Sequence, residues 1–167
     1  FRSDALYLDI LGRSRRYVHI TTPYLILDDT TLAALKFAAK RGVEVIIIMP
    51  HIPDKLYAYL LARSYYAELL RAGVQIYEYT PGFIHAKMFT SDDEKAVVGT
   101  INLDFRSLYL HFECASYFFR NAVVMDVEED FQKTLAKSER ITLENCRKYP
   151  FIRRFAGKAL RILAPLM

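Results

Sequence analysis

His85 and Lys87 stand two residues apart in Phe83-Ile84-His85-Ala86-Lys87-Met88-Phe89, a run that reads as a β-strand. Period-two alternation puts both side chains on one face of a sheet. Asp92 follows in the polar turn Ser91-Asp92-Asp93-Glu94, and a second strand, Lys95 to Thr100, delivers Gly99-Thr100-Ile101-Asn102. Thr100 and Asn102 are again two apart. Pairing of the two strands would bring an imidazole, an ammonium, a hydroxyl and a carboxamide to one spot. That set suits a phosphate. A phosphodiester carries a negative charge that repels nucleophiles, so its cleavage needs donors on the non-bridging oxygens, a positioned nucleophile and an acid for the leaving alkoxide. Histidine can attack phosphorus through one ring nitrogen when an acceptor holds the proton of the other. Lysine is a compact charge for a phosphate oxygen, and the Asn102 amide offers two donors.

The elements that must position these groups are legible on either side. Ser3 to Arg15 reads as a short helix, and Tyr17-Val18-His19-Ile20 as a strand that turns at Thr22-Pro23-Tyr24. Asp28-Asp29-Thr30 caps a helix over Thr31 to Arg41, closed by Gly42. Val43 to Met49 is a β-branched run that belongs in a sheet covered on both faces. Pro53-Asp54 opens a longer helix that ends at Ala72-Gly73, and Val74 to Tyr79 is the next strand. Alternating strands and helices predict right-handed crossovers and a parallel core. Beyond Pro81-Gly82, strands at Ile84–Phe89, Ala96–Thr100 and Phe112–Arg120 have short connections, so this half is a mixed sheet. A helix over Val127 to Lys137, started by Asp126, and helical segments over 138–167, broken at Pro150, complete the pattern. The expected class is α/β: a mixed, largely parallel β-sheet flanked by helices, with a helical C-terminal tail.

At 167 residues the chain is long enough to bury a core, and no second domain or linker interrupts 1–167. The 53% hydrophobic content is high, yet no run of eighteen apolar residues exists to span a bilayer. Phe1 rather than Met opens the chain, which suggests a fragment of a longer protein. Cys114 and Cys146 have neither disulfide-framework nor metal spacing; Cys114 reads as a small core residue, and a reducing compartment is the default. The net charge of +4 is unevenly placed: from Lys137 onward eight Lys or Arg face only Glu139 and Glu144. Such a basic tail points to an acidic partner.

His85-x-Lys87, Asp92 five residues on, and Gly99-Thr100-x-Asn102 after six more residues resemble the HKD motif of the phospholipase D superfamily. The superfamily has Ser where this chain has Thr100, which keeps the hydroxyl. Thr22-Pro23-Tyr24, Lys40-Arg41-Gly42-Val43, Met49-Pro50, Tyr65 to Val74 and the ending Leu163-Ala164-Pro165-Leu166-Met167 are similar to the C-terminal half of bacterial cardiolipin synthases. The resemblance implies a phospholipase D-like fold and a two-step phosphatidyl transfer. In it, a histidine attacks one phosphatidylglycerol and releases glycerol, and a second phosphatidylglycerol takes the phosphatidyl group from the phosphohistidine to give cardiolipin. It implies catalytic roles for His85, Lys87, Asp92, Asn102 and Glu113, with Glu113 as the acidic partner of the imidazole. Gly99 would let backbone pack close to the substrate-facing strands, beside Thr100. The scheme requires no metal and no cofactor.

Members of the superfamily use two HKD motifs, one histidine as nucleophile and the other as acid and base. This chain has one: His19, His51 and His111 are followed two residues on by Thr21, Pro53 and Glu113. The missing half would come from an N-terminal HKD half or from a second copy in a homodimer, and His85 could take either role. The alternative reading is a homodimeric phospholipase D-like phosphodiesterase or nuclease; a third is a non-catalytic docking domain.

Plainer readings stand beside these. A lone His-x-Lys on a strand is usually a solvated edge, and Asp92 could be ordinary turn chemistry. Glu113, between apolar Phe112 and Cys114, would face a core and need a partner. His51 follows a strand's carboxyl end, where α/β sheets bind ligands, and would line the pocket unless it belongs to a helix cap. Tyr24 would line the substrate entrance or pack in its loop, and Asp104, Arg106 and Ser107 would shape the rim. In the tail, a helix would group Ile152, Phe155, Ala159 and Ile162 on one side and Arg154, Lys158 and Arg161 on another. That pattern fits an interfacial helix on an anionic membrane surface, or a packed helix with a solvated basic face. Its apolar residues favour lipid over nucleic acid. The expected place is the bacterial cell membrane, with this domain as a membrane-associated part.

Overall fold

The computed structural model describes residues 3–163. Helix α1 (Ser3–Arg13) leads into strand β1 (Tyr17–Thr21) and the short β2 (Leu25–Ile26). Helix α2 (Asp29–Lys40) starts where the Asp28 carboxylate accepts the Thr31 N–H, and β3 (Glu44–Pro50) follows. Helix α3 (Leu56–Ala72) ends at Gly73, whose φ of 101° is the left-handed conformation that lets the chain turn back into β4 (Gln75–Tyr79). The crossovers through α2 and α3 make β1, β3 and β4 parallel neighbours.

Every strand added to this sheet outside the trio pairs antiparallel. β5 (Met88–Ser91) lies against β1 and forms a hairpin with β6 (Lys95–Gly99). β7 (Leu103–Asp104) pairs with β2 in a separate two-stranded ribbon, and a π-helical turn spans Arg106–Leu110. β8 (Ala115–Phe119) forms one edge of the sheet, and β9 (Ser138–Ile141) forms the other after helix α4 (Val123–Leu135). Helices α5 (Leu143–Lys148) and α6 (Phe151–Leu163) follow. The sheet order is β8-β6-β5-β1-β3-β4-β9.

The β-branched run of β3 is covered on both faces, as its composition predicts. Val45, Ile47 and Met49 face the core formed with α1, α2 and α3, while Ile46 and Ile48 meet Phe131 of α4. Three expectations need correcting. His85 and Lys87 precede β5 in extended chain rather than lying within it, because ladder pairing begins only at Met88. Cys114 is exposed, since β8 is an edge strand whose residues are largely open to solvent. Residues 138–141, expected to be helical, form β9; a short, charged edge strand carries no apolar alternation to read. The closing residues Ala164-Pro165-Leu166-Met167 lie outside the described residues.

Candidate active site

Register carries the site together. Thr21, the last residue of β1, pairs with Met88, the first of β5, so the carboxyl end of the parallel trio and the His85–Lys87 segment share one end of the sheet. Gly99 donates its N–H to the Lys87 carbonyl at 3.2 Å, and Thr100 donates its N–H to the Cys114 carbonyl at 2.9 Å. A Cβ on Gly99 would sit 2.5 Å from Ala115 Cα, so only glycine lets β6 and β8 approach this closely. The ends of three strands thus surround an open cleft of about 600 Å³, lined by Tyr24, Lys55, His85, Lys87, Thr100, Asn102 and Glu113.

The Lys87 ammonium donates to the His85 carbonyl at 2.7 Å, which fixes its position beside the imidazole. Burial, and then the Lys87 charge, lower the His85 pKa from its ordinary value, with Asp54 opposing the shift. Burial also lowers the Lys87 pKa, against the opposing charges of Glu113, Asp104 and Asp54. The imidazole has Tyr24 edge-on at 6.3 Å and Phe83 at 5.3 Å. Among the described residues no side chain hydrogen-bonds its ring nitrogens.

Glu113 does not hold His85. Its carboxylate accepts the Thr100 hydroxyl, and the same hydroxyl accepts the Cys114 N–H at 3.0 Å. Asn102 Nδ2 donates to Ser107 Oγ at 3.2 Å, while its Oδ1 is buried without a partner. Turning the amide over would let Ser107 donate to Oδ1 and free the NH₂ for a phosphate oxygen. Asp104, raised in pKa by burial, accepts the Ser107 N–H at 2.7 Å and so anchors the π-helical turn behind Asn102.

Asp92 and His51 lie outside the cleft. Asp92, at φ 57° in the β5–β6 turn, accepts the N–H groups of Arg15, Arg16 and Tyr17 at 2.8, 2.9 and 2.9 Å. It ties the hairpin to the start of β1, at the other end of β5 from His85. His51 pairs through Nδ1 with the buried Glu78 at 3.0 Å, a carboxylate that Arg63 also grips. The residue lining the cleft from that loop is instead Lys55, with Asp54 beside it. Asp54 accepts the Tyr24 hydroxyl at 2.5 Å, and the Lys55 ammonium lies 5.4 Å from the Tyr24 ring centroid. Lys55 was missed in the sequence although its place after the carboxyl end of β3 is a signal for it. Among the described residues no cluster of three His, Cys, Asp or Glu side chains could hold a metal ion.

This arrangement matches a known family. The model of the "Cardiolipin synthase, PLD-like domain" family covers residues 7–135. The chain belongs to that family. It is 39% identical to cardiolipin synthase 2 of Bacillus anthracis over 97% of its own length and 32% of that protein. It is 53% identical to an uncharacterized protein of Streptococcus mutans, over 98% of this chain and 36% of the relative. The chain thus spans about a third of the length of these relatives. The phosphatidylserine synthase of Haemophilus influenzae superposes with a TM-score of 0.76 at 16% identity, over 98% of this chain and 44% of that one. At that identity the likeness shows the fold: a phospholipase D-like mixed sheet flanked by helices. Membership makes the chain a phospholipase D-like domain of the cardiolipin synthase family.

Proposed function

We propose that the cleft is one of two half-sites for phosphatidyl transfer between two phosphatidylglycerol molecules, giving cardiolipin and glycerol. The observation that carries this reading is the meeting of His85, Lys87, Lys55 and Asn102 in one open cleft, with the imidazole unpartnered. Lys87 and Lys55 would neutralise the non-bridging phosphate oxygens, and the Asn102 amide would donate to one of them.

Because no acceptor among the described residues holds the second ring nitrogen, the environment of His85 fits the general acid and base better than the nucleophile. The nucleophilic histidine of the other half-site would attack phosphorus, and the P–O bond to the departing glycerol would break. The His85 imidazolium would give that alkoxide its proton. Neutral His85 would then take the proton from a hydroxyl of the second phosphatidylglycerol as its oxygen attacks phosphorus and the P–N bond breaks. A lowered pKa makes the imidazolium a stronger acid for the first half of this cycle and the neutral ring a weaker base for the second.

The second half-site would dock beside the cleft. β8 is a sheet edge, and Tyr117 and Phe119 on it, with Phe112 just before it, are exposed large apolar groups. They are continuous with Glu113 at the cleft wall. A second phospholipase D-like unit, in the same protein or a second copy, would cover them and place its own His-x-Lys opposite His85. The work would take place at a bacterial cell membrane, where the lipid substrates reside. Among the described residues no helix is long and apolar enough to cross a membrane.

The test is the site of covalent labelling. The assembled protein is mixed with phosphatidylglycerol labelled at phosphorus, quenched and digested. The label should sit on a histidine outside the peptide that carries His85. Label on His85 itself would reverse the assigned role, and no phosphohistidine on any peptide would remove the covalent scheme.

A further inference from the structure

Helix α6 leaves its largest apolar side chains open to solvent instead of burying them. Phe151, Ile152, Phe155 and Ile162 are 77%, 81%, 66% and 82% exposed. The side against the domain is narrow, formed by Gly157, Leu160 and Arg161, whereas an ordinary amphipathic helix buries its large apolar stripe. The inward seating is close: a Cβ on Gly157 would sit 2.5 Å from the Leu60 carbonyl oxygen, and the Arg161 guanidinium lies 4.1 Å from the Tyr65 ring centroid.

Between α3, α5 and α6 this seating leaves a cavity of about 330 Å³. Arg71, Arg147, Arg153, Arg154 and Lys158 line it, and among the described residues none has a carboxylate partner. The lining carboxylate, Glu68, already pairs with Lys36 and Arg161. Tyr149 also lines the cavity; its hydroxyl is buried with no hydrogen-bond partner. Unpaired cations and an orphaned donor around one cavity call for an anion. The space equals roughly ten water volumes at ~30 Å³ each, enough for a phosphate and a small polyol.

We propose that this cavity binds the headgroup of an anionic phospholipid while the outer stripe of α6 rests in the acyl region of the same leaflet. A helix inserted to a depth of about 5–10 Å keeps its upper side, and the cavity behind it, at the level of lipid phosphates. The charge complementarity selects anionic lipid over a protein partner for this face. The second half-site belongs at the β8 edge, at the opposite side of the sheet from β4 and β9, so its docking leaves α6 free. The site is distinct from the His85 cleft. It rests on the reading that the protein works at a membrane, and not on the chemistry of His85.

The test is binding of the protein to phosphatidylcholine vesicles with and without phosphatidylglycerol, at constant salt. The cavity variant is Arg71→Ala/Arg147→Ala, whose residues lie outside α6. The charge-matched control is Lys40→Ala/Lys133→Ala, whose residues do not line the cavity. At about fivefold per basic residue near a charged surface, the cavity variant should lose roughly 25-fold in affinity for phosphatidylglycerol vesicles. The control should lose much less, and inorganic phosphate should not displace the protein. Equal losses in cavity and control variants would overturn the headgroup site and leave only diffuse charge. Displacement by inorganic phosphate would reassign the cavity to a free anion. Absence of any preference for phosphatidylglycerol in the unmodified protein would assign the apolar stripe to a protein partner. If the double variant fails to fold, Lys158→Ala, which changes one exposed and unpaired residue, should still lose about fivefold.

Discussion

The hydroxyl of Thr100 donates to the carboxylate of Glu113 and accepts the backbone N–H of Cys114, so one side chain clamps the start of β8 to the end of β6. Glu113 is thereby a wall of the cleft rather than a partner of His85. Thr100→Ser keeps the hydroxyl and should retain most of the activity. Thr100→Val removes both hydrogen bonds at this exposed junction, at a stability cost of about 1 kcal/mol, and should lower turnover by loosening the cleft wall. Steady-state rates of the two variants, beside their melting temperatures, check this.

Gly99→Ala attacks the same junction sterically. The added methyl would meet Ala115 Cα at 2.5 Å, so β8 must move away from β6. The expected outcome is a loss of activity larger than Thr100→Val causes, with a melting temperature only a few degrees lower, because β8 is an exposed edge. Full activity in Gly99→Ala would show that the cleft tolerates displacement of that wall.

Titration of His85 by NMR tests the electrostatics. Burial and the Lys87 charge should place its titration below the ordinary histidine value of ~6.5. Lys87→Gln removes a cation and should move the titration up; Asp54→Asn removes an anion and should move it down. Since His85 must start protonated as an acid, the alkaline limb of the rate profile should follow each shift in the same direction. A downward move in Lys87→Gln would contradict the assignment.

Asp92 separates folding from chemistry. Its carboxylate accepts three backbone N–H groups at the α1–β1 junction, outside the cleft. Asp92→Ala should destabilise the fold by about 2–4 kcal/mol, as charge-assisted hydrogen bonds are lost together. The rate per folded molecule should hardly change. Denaturant unfolding, combined with turnover corrected for the folded fraction, distinguishes this from a direct catalytic role.

Much of this molecule is legible in its sequence, for identifiable reasons. The β-branched run of β3 and the helices α2 and α3, closed by Gly42 and Gly73, follow from local periodicity and caps. The spacing of His85, Lys87, Thr100 and Asn102 brings them to one cleft, although the strand that positions them starts one residue later than Lys87. What the sequence hides is nonlocal. Lys55 reaches the cleft from a loop position 30 residues before His85. Glu113 binds Thr100 because β8 pairs with β6, a register that no local pattern encodes. The outward apolar face of α6 depends on Gly157 packing against α3, so amphipathicity alone did not give its orientation.

The central claim is that His85 moves the protons of phosphatidyl transfer in a half-site completed by a second His-x-Lys unit. The most direct measurement is conversion of phosphatidylglycerol to cardiolipin by the protein assembled with its second half-site, comparing the unmodified chain with His85→Ala. The unmodified protein should release one glycerol for each cardiolipin formed, and His85→Ala should be slower by about 10²- to 10⁴-fold while remaining folded. Cardiolipin formation by His85→Ala at the unmodified rate would contradict the account.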